Sequence, residues 1–394
     1  MKIAIDARPL QHETQYRGIG KSLEFLLLSL KKIDKSDELV FYVDAGLPKP
    51  QVLKHFPDSE VVMMPTARLG RKRYWRSFLP SFKPLNPRRG SVDVVLQYDA
   101  NFGVPRNVPS VVIFHDMIPL LFRSQEKHRP VKGTRKAKDA LARSLYWHKY
   151  LRFLKSYRSA TTIVAISQSS KRDLLEHVQG VDERRVQVIG HGLNVLEATG
   201  DIGSKIKKIS ASPYLLFVGG IDLRKNIMGL LKTFYELKAG YPELKLVLVG
   251  KEFGLKNMLE DLGWFKLLNS QPAYANDVLT PGFVSSAELA YLYEKAAAFV
   301  FPSRYEGFGF PVLEAMAAGC PVVSYDNSSI PEVAGDAALL VADGSDLAPA
   351  VKKLLVDKAL RQKLIAAGRS QAAKFSWDKT AGDILRVLRF TATK

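Results

Sequence analysis

Thirteen short apolar runs recur along the chain, each three to five residues long and each separated from the next by stretches with helical spacing or turn residues. Seven fall in the first half: Lys2–Ile5, Leu39–Val43, Val61–Met64, Val94–Gln97, Val111–Phe114, Thr162–Ala165 and Val186–Ile189. Six follow in the second: Tyr214–Val218, Lys245–Val249, Val278–Thr280, Phe299–Phe301, Val322–Ser324 and Ala338–Val341. They are continuously apolar rather than alternating, which is the pattern of strands covered on both faces. Strands alternating with helices imply βαβ units and parallel sheets. A chain of 394 residues has material for two such cores. The small, polar stretch from Glu197 to Ser204 and the segment Ser210-Ala211-Ser212-Pro213 read as the linker.

Ligands of open parallel sheets bind beyond the carboxyl ends of the strands. Five segments at such ends carry glycines or unusual polar residues. The first holds Gly18 and Gly20 ahead of an apolar helix over Leu23–Leu30; it fits either a tight turn or a backbone approach to an anion. His115 and Asp116 follow the apolar strand Val111–Phe114, which favours a functional histidine; Asp116 either orients it or caps the next turn. After Tyr214–Val218 come Gly219, Gly220, Arg224, Lys225 and Asn226, then a helix over Ile227–Leu237. Cations beside free N–H groups at a helix start suit phosphate.

The fourth segment, from Phe301 to Gly319, is the most specific. A strand ends, a glycine loop Gly307-Phe308-Gly309 follows, Pro311 suits a helix start and Gly319 its end. Glu306 lies in the loop and Glu314 in the helix, with seven residues between them. Two carboxylates so placed can converge on one crevice. The fifth, Ser324 to Val333, lines a strand end with less functional weight.

Net charge is +19, and it is uneven. Residues 1–200 hold 34 Lys and Arg against 19 Asp and Glu, and residues 63–160 hold 21 against 5. Such a face attracts polyanions: nucleic acid, anionic membrane or phosphorylated substrate. Segment 68–83 and the stretch from Arg123 to Arg158 interleave these cations with aromatics, the composition of a membrane-surface face. No run of eighteen apolar residues is present, Met1 to Asp6 opens a strand rather than a signal peptide, and Cys320 is the single cysteine. The expectation is a cytoplasmic protein, with Cys320 as a buried hydrophobe.

These motifs together resemble the retaining family 4 glycosyltransferases. Glu306 and Glu314 match that family's pair of glutamates spaced by seven residues. Gly220 with Arg224-Lys225-Asn226, Pro281-Gly282-Phe283-Val284 and Ala318 to Val323 match in the family's order, and His115-Asp116, Ala165-Ile166-Ser167 and Phe375-Ser376-Trp377 also fit. The resemblance implies an α/β protein of GT-B fold, two Rossmann-like domains whose parallel sheets face a central cleft. Domains are expected at 1–200 and 201–375, with a helix over 376–394 crossing back to the first. It implies transfer of a hexose, of mannose or rhamnose type, from a nucleoside-diphosphate sugar such as GDP-mannose. The expected acceptor is a glycan or a lipid-diphosphate-linked sugar, in cell-surface polysaccharide or lipopolysaccharide synthesis at the inner face of the membrane. Arg224 and Lys225 would bind the diphosphate, Glu314 the ribose, Glu306 the sugar, the backbone of Gly307, Phe308 and Gly309 its oxygens, and the backbone at Val284 the base. Gly18 and Gly20 would approach the diphosphate, and His115 the sugar near its anomeric centre. Many relatives carry the arginine where Gly220 stands, and Arg224 takes its role here. No metal is expected, because the fixed cations stabilise the leaving group and no Asp-x-Asp motif follows a strand. Two other readings differ in chemistry: a nucleotide-sugar epimerase of the same fold, and a nucleic-acid binder, for which no motif is present.

Overall fold

In the computed structural model, residues 1–12, 18–65, 85–99, 103–123, 136–196, 200–254, 263–270 and 272–394 are described. The basic segment 68–83 lies outside them, as do residues 124–135 of the second basic stretch.

The chain divides into two units, Met1–Gly192 with Ser376–Lys394, and Leu193–Phe375. The first is built on seven parallel strands: β1 (Lys2–Asp6), β2 (Glu38–Asp44), β3 (Glu60–Met64), β4 (Val94–Gln97), β5 (Ser110–Phe114), β6 (Thr162–Ala165) and β7 (Val186–Val188). Their spatial order is β3-β2-β1-β4-β5-β6-β7. The order reverses between β1 and β4, which is where such sheets open a crevice at their carboxyl ends. β4 and β5 are buried along their whole length, which explains their unbroken apolar character.

The helix after β1 spans Gly18–Ile33, longer than the apolar pattern Leu23–Leu30. Gly18 and Gly20 therefore sit in its first turn and not in a turn ahead of it. A first-turn glycine leaves no side chain over the helix's unpartnered N–H groups. The last helix, Trp377–Ala392, packs on Gly18–Ile33 and on β4 and β5. Thr162 and Thr391 join their hydroxyls at 2.8 Å, and Thr380 donates to the Gly190 carbonyl at 2.8 Å. Trp377 presses on Gly192, where a Cβ would meet the Trp377 nitrogen at 2.3 Å.

The second unit has six parallel strands: β8 (Tyr214–Val218), β9 (Lys245–Val249), β10 (Val278–Gly282), β11 (Ala298–Phe301), β12 (Val322–Tyr325) and β13 (Ala338–Val341). The order is β10-β9-β8-β11-β12-β13, reversing between β8 and β11. The loops that leave those two strands, 219–225 and 302–309, are the ones that carried the cations and the first glutamate. The helix Ser286–Lys295 starts on a capping box between Ser285 and Glu288, one residue after Val284.

Candidate functional site

In the second unit, β8 ends at Val218 and the chain turns through Gly219 and Gly220. Gly250, after β9, is tightly placed: a Cβ there would lie 2.1 Å from the Gly219 carbonyl oxygen. A Cβ on Gly220 would make only ordinary contacts, with Asp222 and Glu252. The fold therefore needs glycine at 250, while at 220 it would admit a Cβ in ordinary contact. Arg224 and Lys225 lie in a 3-10 turn, Leu223–Lys225, and not in the helix they precede. Asn226, left-handed at φ 53°, ends that turn and caps the helix Ile227–Lys238 by accepting the Gly229 N–H.

Both cations reach one carboxylate. Arg224 Nη1 donates to Glu306 Oε1 at 2.6 Å and to the Tyr305 carbonyl at 2.9 Å. Lys225 Nζ donates to the same Oε1 at 2.7 Å and stands 4.6 Å above the Phe301 ring. Ser303 Oγ adds a third bond to Oε1 at 2.5 Å. Oε2 takes none of these bonds. Glu306 is 7% exposed and Lys225 6%. Burial pushes the Glu306 carboxyl up, but Lys225 and Arg224 overcome it and hold the group below the usual range. Burial pushes the Lys225 ammonium down, opposed by Glu306. Two cations thus converge on a single carboxylate at the end of a strand, an arrangement that suits an anion.

The loop from Ser303 to Gly309 is held from both sides. The Arg304 N–H donates to the Arg224 carbonyl at 2.8 Å. Asn327, after β12, donates from Nδ2 to the Ser303 carbonyl at 3.2 Å. Phe308 is buried against Phe310 and Phe375. Gly309 has φ 110° and starts the helix Phe310–Ala317, with Pro311 in its first turn. Gly319 follows that helix at φ 76°.

Glu314, on this helix, faces different partners. It is half-buried and accepts the Tyr293 hydroxyl at 3.3 Å and a bond from the Asn194 side chain. Burial raises its carboxyl to about 7. Glu306 and Glu314 therefore share no partner, and their ionisation is pushed in opposite directions. Val284 is half-buried at the carboxyl end of β10, beside Phe283, which is 83% exposed. Cys320 is buried, as its apolar surroundings in the sequence indicate.

In the first unit His115 follows β5. Its Nε2 lies 2.8 Å from the Tyr98 carbonyl, which only accepts, so Nε2 carries the proton. Burial lowers its imidazole to about 4, so the ring is neutral and Nδ1 is a lone-pair acceptor. The Tyr98 and His191 rings stand 5.2 and 5.8 Å away. Asp116 caps the following turn, accepting the Ile118 N–H at 3.0 Å. Ser170, on a helix capped by Ser167, donates to the His115 carbonyl at 2.8 Å. Gly18 is exposed and Gly20 buried at the start of their helix, beyond β1. Tyr98, His191, Ser303, Ser328 and Ser329 all touch candidate site residues. Only Ser303, Ser328 and Ser329 fall in segments that the sequence singles out, and the spacing around Tyr98 and His191 carries no signal.

Two sheets of this kind, each with its polar loops at the switch point, define a two-domain Rossmann-like protein of the GT-B class. Residues 42–195 match the family described as Glycosyltransferase Family 4, and residues 201–371 match Glycosyl transferases group 1. The chain thus carries two glycosyltransferase domains, one in each unit. It is 31% identical over 288 residues to the serotype-specific mannosyltransferase WbdA of Escherichia coli, across 70% of this chain and 33% of that protein. It is 38% identical over 179 residues to the O-antigen chain mannosyltransferase B of Escherichia coli, 42% of each. The chain thus spans a third to two-fifths of the length of these curated relatives. Its fold is similar to that of Anabaena Alr3699/HepE, solved in complex with UDP and glucose, with a TM-score of 0.67, 15% identity and 99% of both chains covered.

Proposed function

We propose that this protein is a retaining hexosyltransferase. It moves a mannose-type sugar from a nucleoside-diphosphate donor to a lipid-linked glycan acceptor in O-antigen-type polysaccharide synthesis. The observation that carries the reading is the pair Arg224 and Lys225 on the single carboxylate of Glu306, at the switch point of the second sheet. The mannosyltransferase relatives support the sugar, and the UDP-bound neighbour supports a nucleotide donor.

Leaving-group departure puts negative charge on the diphosphate. Arg224 and Lys225 are fixed cations in a water-poor setting, where such stabilisation is worth most. Glu306 orients both, and its Oε2 receives a hydroxyl of the transferred sugar. The backbone of Gly307, Phe308 and Gly309 meets sugar and phosphate oxygens, Glu314 takes the ribose hydroxyls, and the backbone at Val284 meets the base. In the first unit, the neutral His115 offers an acceptor nitrogen to the sugar, and Gly18 and Gly20 let the helix start approach the diphosphate. The departing phosphate oxygen takes the proton of the acceptor hydroxyl as the new glycosidic bond forms on the same face. The positive charge comes from side chains, so no metal is required.

The test is a panel of GDP-, UDP- and dTDP-hexoses incubated with a lipid-diphosphate-linked glycan in EDTA. Transfer of a hexose with retained anomeric configuration, strongest with GDP-mannose, is the expected result. Epimerised free donor without transfer, or a strict need for added divalent cation, would contradict it.

A further inference from the structure

The turn after β12 carries a residue in an unfavourable backbone state beside the proposed donor loop. Ser328 has φ 48°, a left-handed conformation that a side chain with a Cβ disfavours. Its hydroxyl accepts the Glu306 N–H at 3.0 Å. The next residue, Ser329, is fully buried and its hydroxyl faces the Glu306 carbonyl at 2.9 Å and the Phe308 carbonyl at 2.8 Å. Both backbone polar groups of Glu306 are thus held by two adjacent serine side chains rather than by a strand or helix ladder. Consecutive side chains ordinarily diverge. The left-handed turn at Ser328 lets both hydroxyls face one loop. The Ser328 hydroxyl also donates to Asn327 Oδ1 at 3.1 Å, which leaves its lone pairs for the Glu306 amide.

We propose that Ser328 and Ser329 are positioning residues, which fix the peptide planes on either side of Glu306 and thereby aim its carboxylate at Arg224, Lys225 and the donor sugar. The inference rests on the donor-site reading above. Without the two hydroxyls the Glu306 backbone gains freedom, and the carboxylate no longer holds its three donors in one geometry. Transfer chemistry depends on such placement far more steeply than binding does.

The experiment is a double-mutant cycle with full-length protein, using GDP-mannose as probe. Transfer rates and donor affinity are measured for wild type, Ser328→Ala, Ser329→Ala, Glu306→Ala and each serine variant combined with Glu306→Ala. Ser328→Gly, which relieves the backbone while removing the hydroxyl, and Ser329→Thr, which keeps the hydroxyl, complete the set. The expected result is a kcat loss of about ten-fold or more for Ser328→Ala, Ser328→Gly and Ser329→Ala, with donor affinity changed far less. Ser329→Thr recovers most of the rate. Added to Glu306→Ala, the serine substitutions cost nothing further, because the group they position is gone. Equal losses in both backgrounds, or serine variants with wild-type kcat while Glu306→Ala is inactive, would overturn the positioning role alone. A Glu306→Ala variant with wild-type transfer, or a wild type that does not bind the probe, would remove the donor-site reading and this inference with it.

Discussion

Glu306 and Glu314 stand in one loop and the helix that follows it, yet their surroundings treat their charge in opposite ways. Glu306 is buried against two cations and stays ionised, its carboxyl held low. Glu314 is half-buried with only neutral hydrogen-bond partners in Tyr293 and Asn194, and its carboxyl rises from 4.5 to about 7. Well below pH 4.5 Glu314 is protonated in the folded and the unfolded chain alike. Between 4.5 and about 7 the unfolded chain gives up the proton while the folded one keeps it, so stability falls as pH rises through that window. Denaturant unfolding from pH 4 to 8 should show wild type losing ground to Glu314→Gln across that range, with the difference levelling above it. Parallel curves for the two proteins would contradict the raised value. If Glu314 accepts ribose hydroxyls, donor KM should also fall as pH rises through about 7 in wild type and stay flat in the Gln variant.

At the scale of elements, all thirteen strands were legible, because buried parallel strands write themselves as unbroken apolar runs. Val94–Gln97, Thr162–Ala165, Tyr214–Val218, Lys245–Val249 and Ala338–Val341 are found with the same bounds as in the sequence, and the others shift by one or two residues. Turn geometry was less legible. Apolar periodicity begins at Leu23, so the helix start at Gly18 left no apolar mark. Lys225 and Arg224 are placed by a 3-10 turn whose stop is a left-handed Asn226, and no periodicity reports that. The serines that hold Glu306 come from a turn some twenty residues further along the chain, a pairing that only the tertiary structure makes. The tightest of these local requirements is at Gly250. A Cβ there runs into the Gly219 carbonyl, which is backbone and cannot swing aside as a flexible side chain would. Gly250→Ala should cost about 1–3 kcal/mol of stability, as overpacked sites do. It should also weaken nucleotide binding, because the displaced strand end carries the Gly219–Lys225 turn. Unfolding curves and GDP titration check this; an unchanged midpoint and affinity would show that the turn does not depend on this contact.

For the whole molecule, charge is the property that secondary structure does not explain. The excess of 21 basic over 5 acidic residues between 63 and 160 belongs to the first unit. Within its described part, Arg123 stacks on Trp147 at 4.6 Å, and Arg152, Lys155 and Arg158 are exposed. Trp147, Tyr150 and Phe153, which the sequence offers as membrane-facing aromatics, are buried in the core instead. Among the described residues no helix is long and apolar enough to cross a membrane. We propose that the basic face docks on anionic lipid, the setting of a lipid-linked acceptor, with each Lys or Arg near the surface contributing about 1 kcal/mol. With Trp147, Tyr150 and Phe153 in the core, the exposed cations of this stretch are its anchor, so binding should be strongly salt-sensitive. Flotation with anionic vesicles at low salt should carry the protein upward, and high salt or neutral vesicles should release it. Equal binding to both vesicle types would contradict this. The most direct test of the catalytic account is hexose transfer from GDP-mannose by wild type, Lys225→Ala and Glu306→Ala, each first shown to be folded. Lys225→Ala removes a fixed positive charge from the leaving group, and Glu306→Ala removes the carboxylate that orients both cations; each should lower kcat about 100-fold or more, and wild-type turnover by either folded variant would contradict the assignment of this cluster as the donor site.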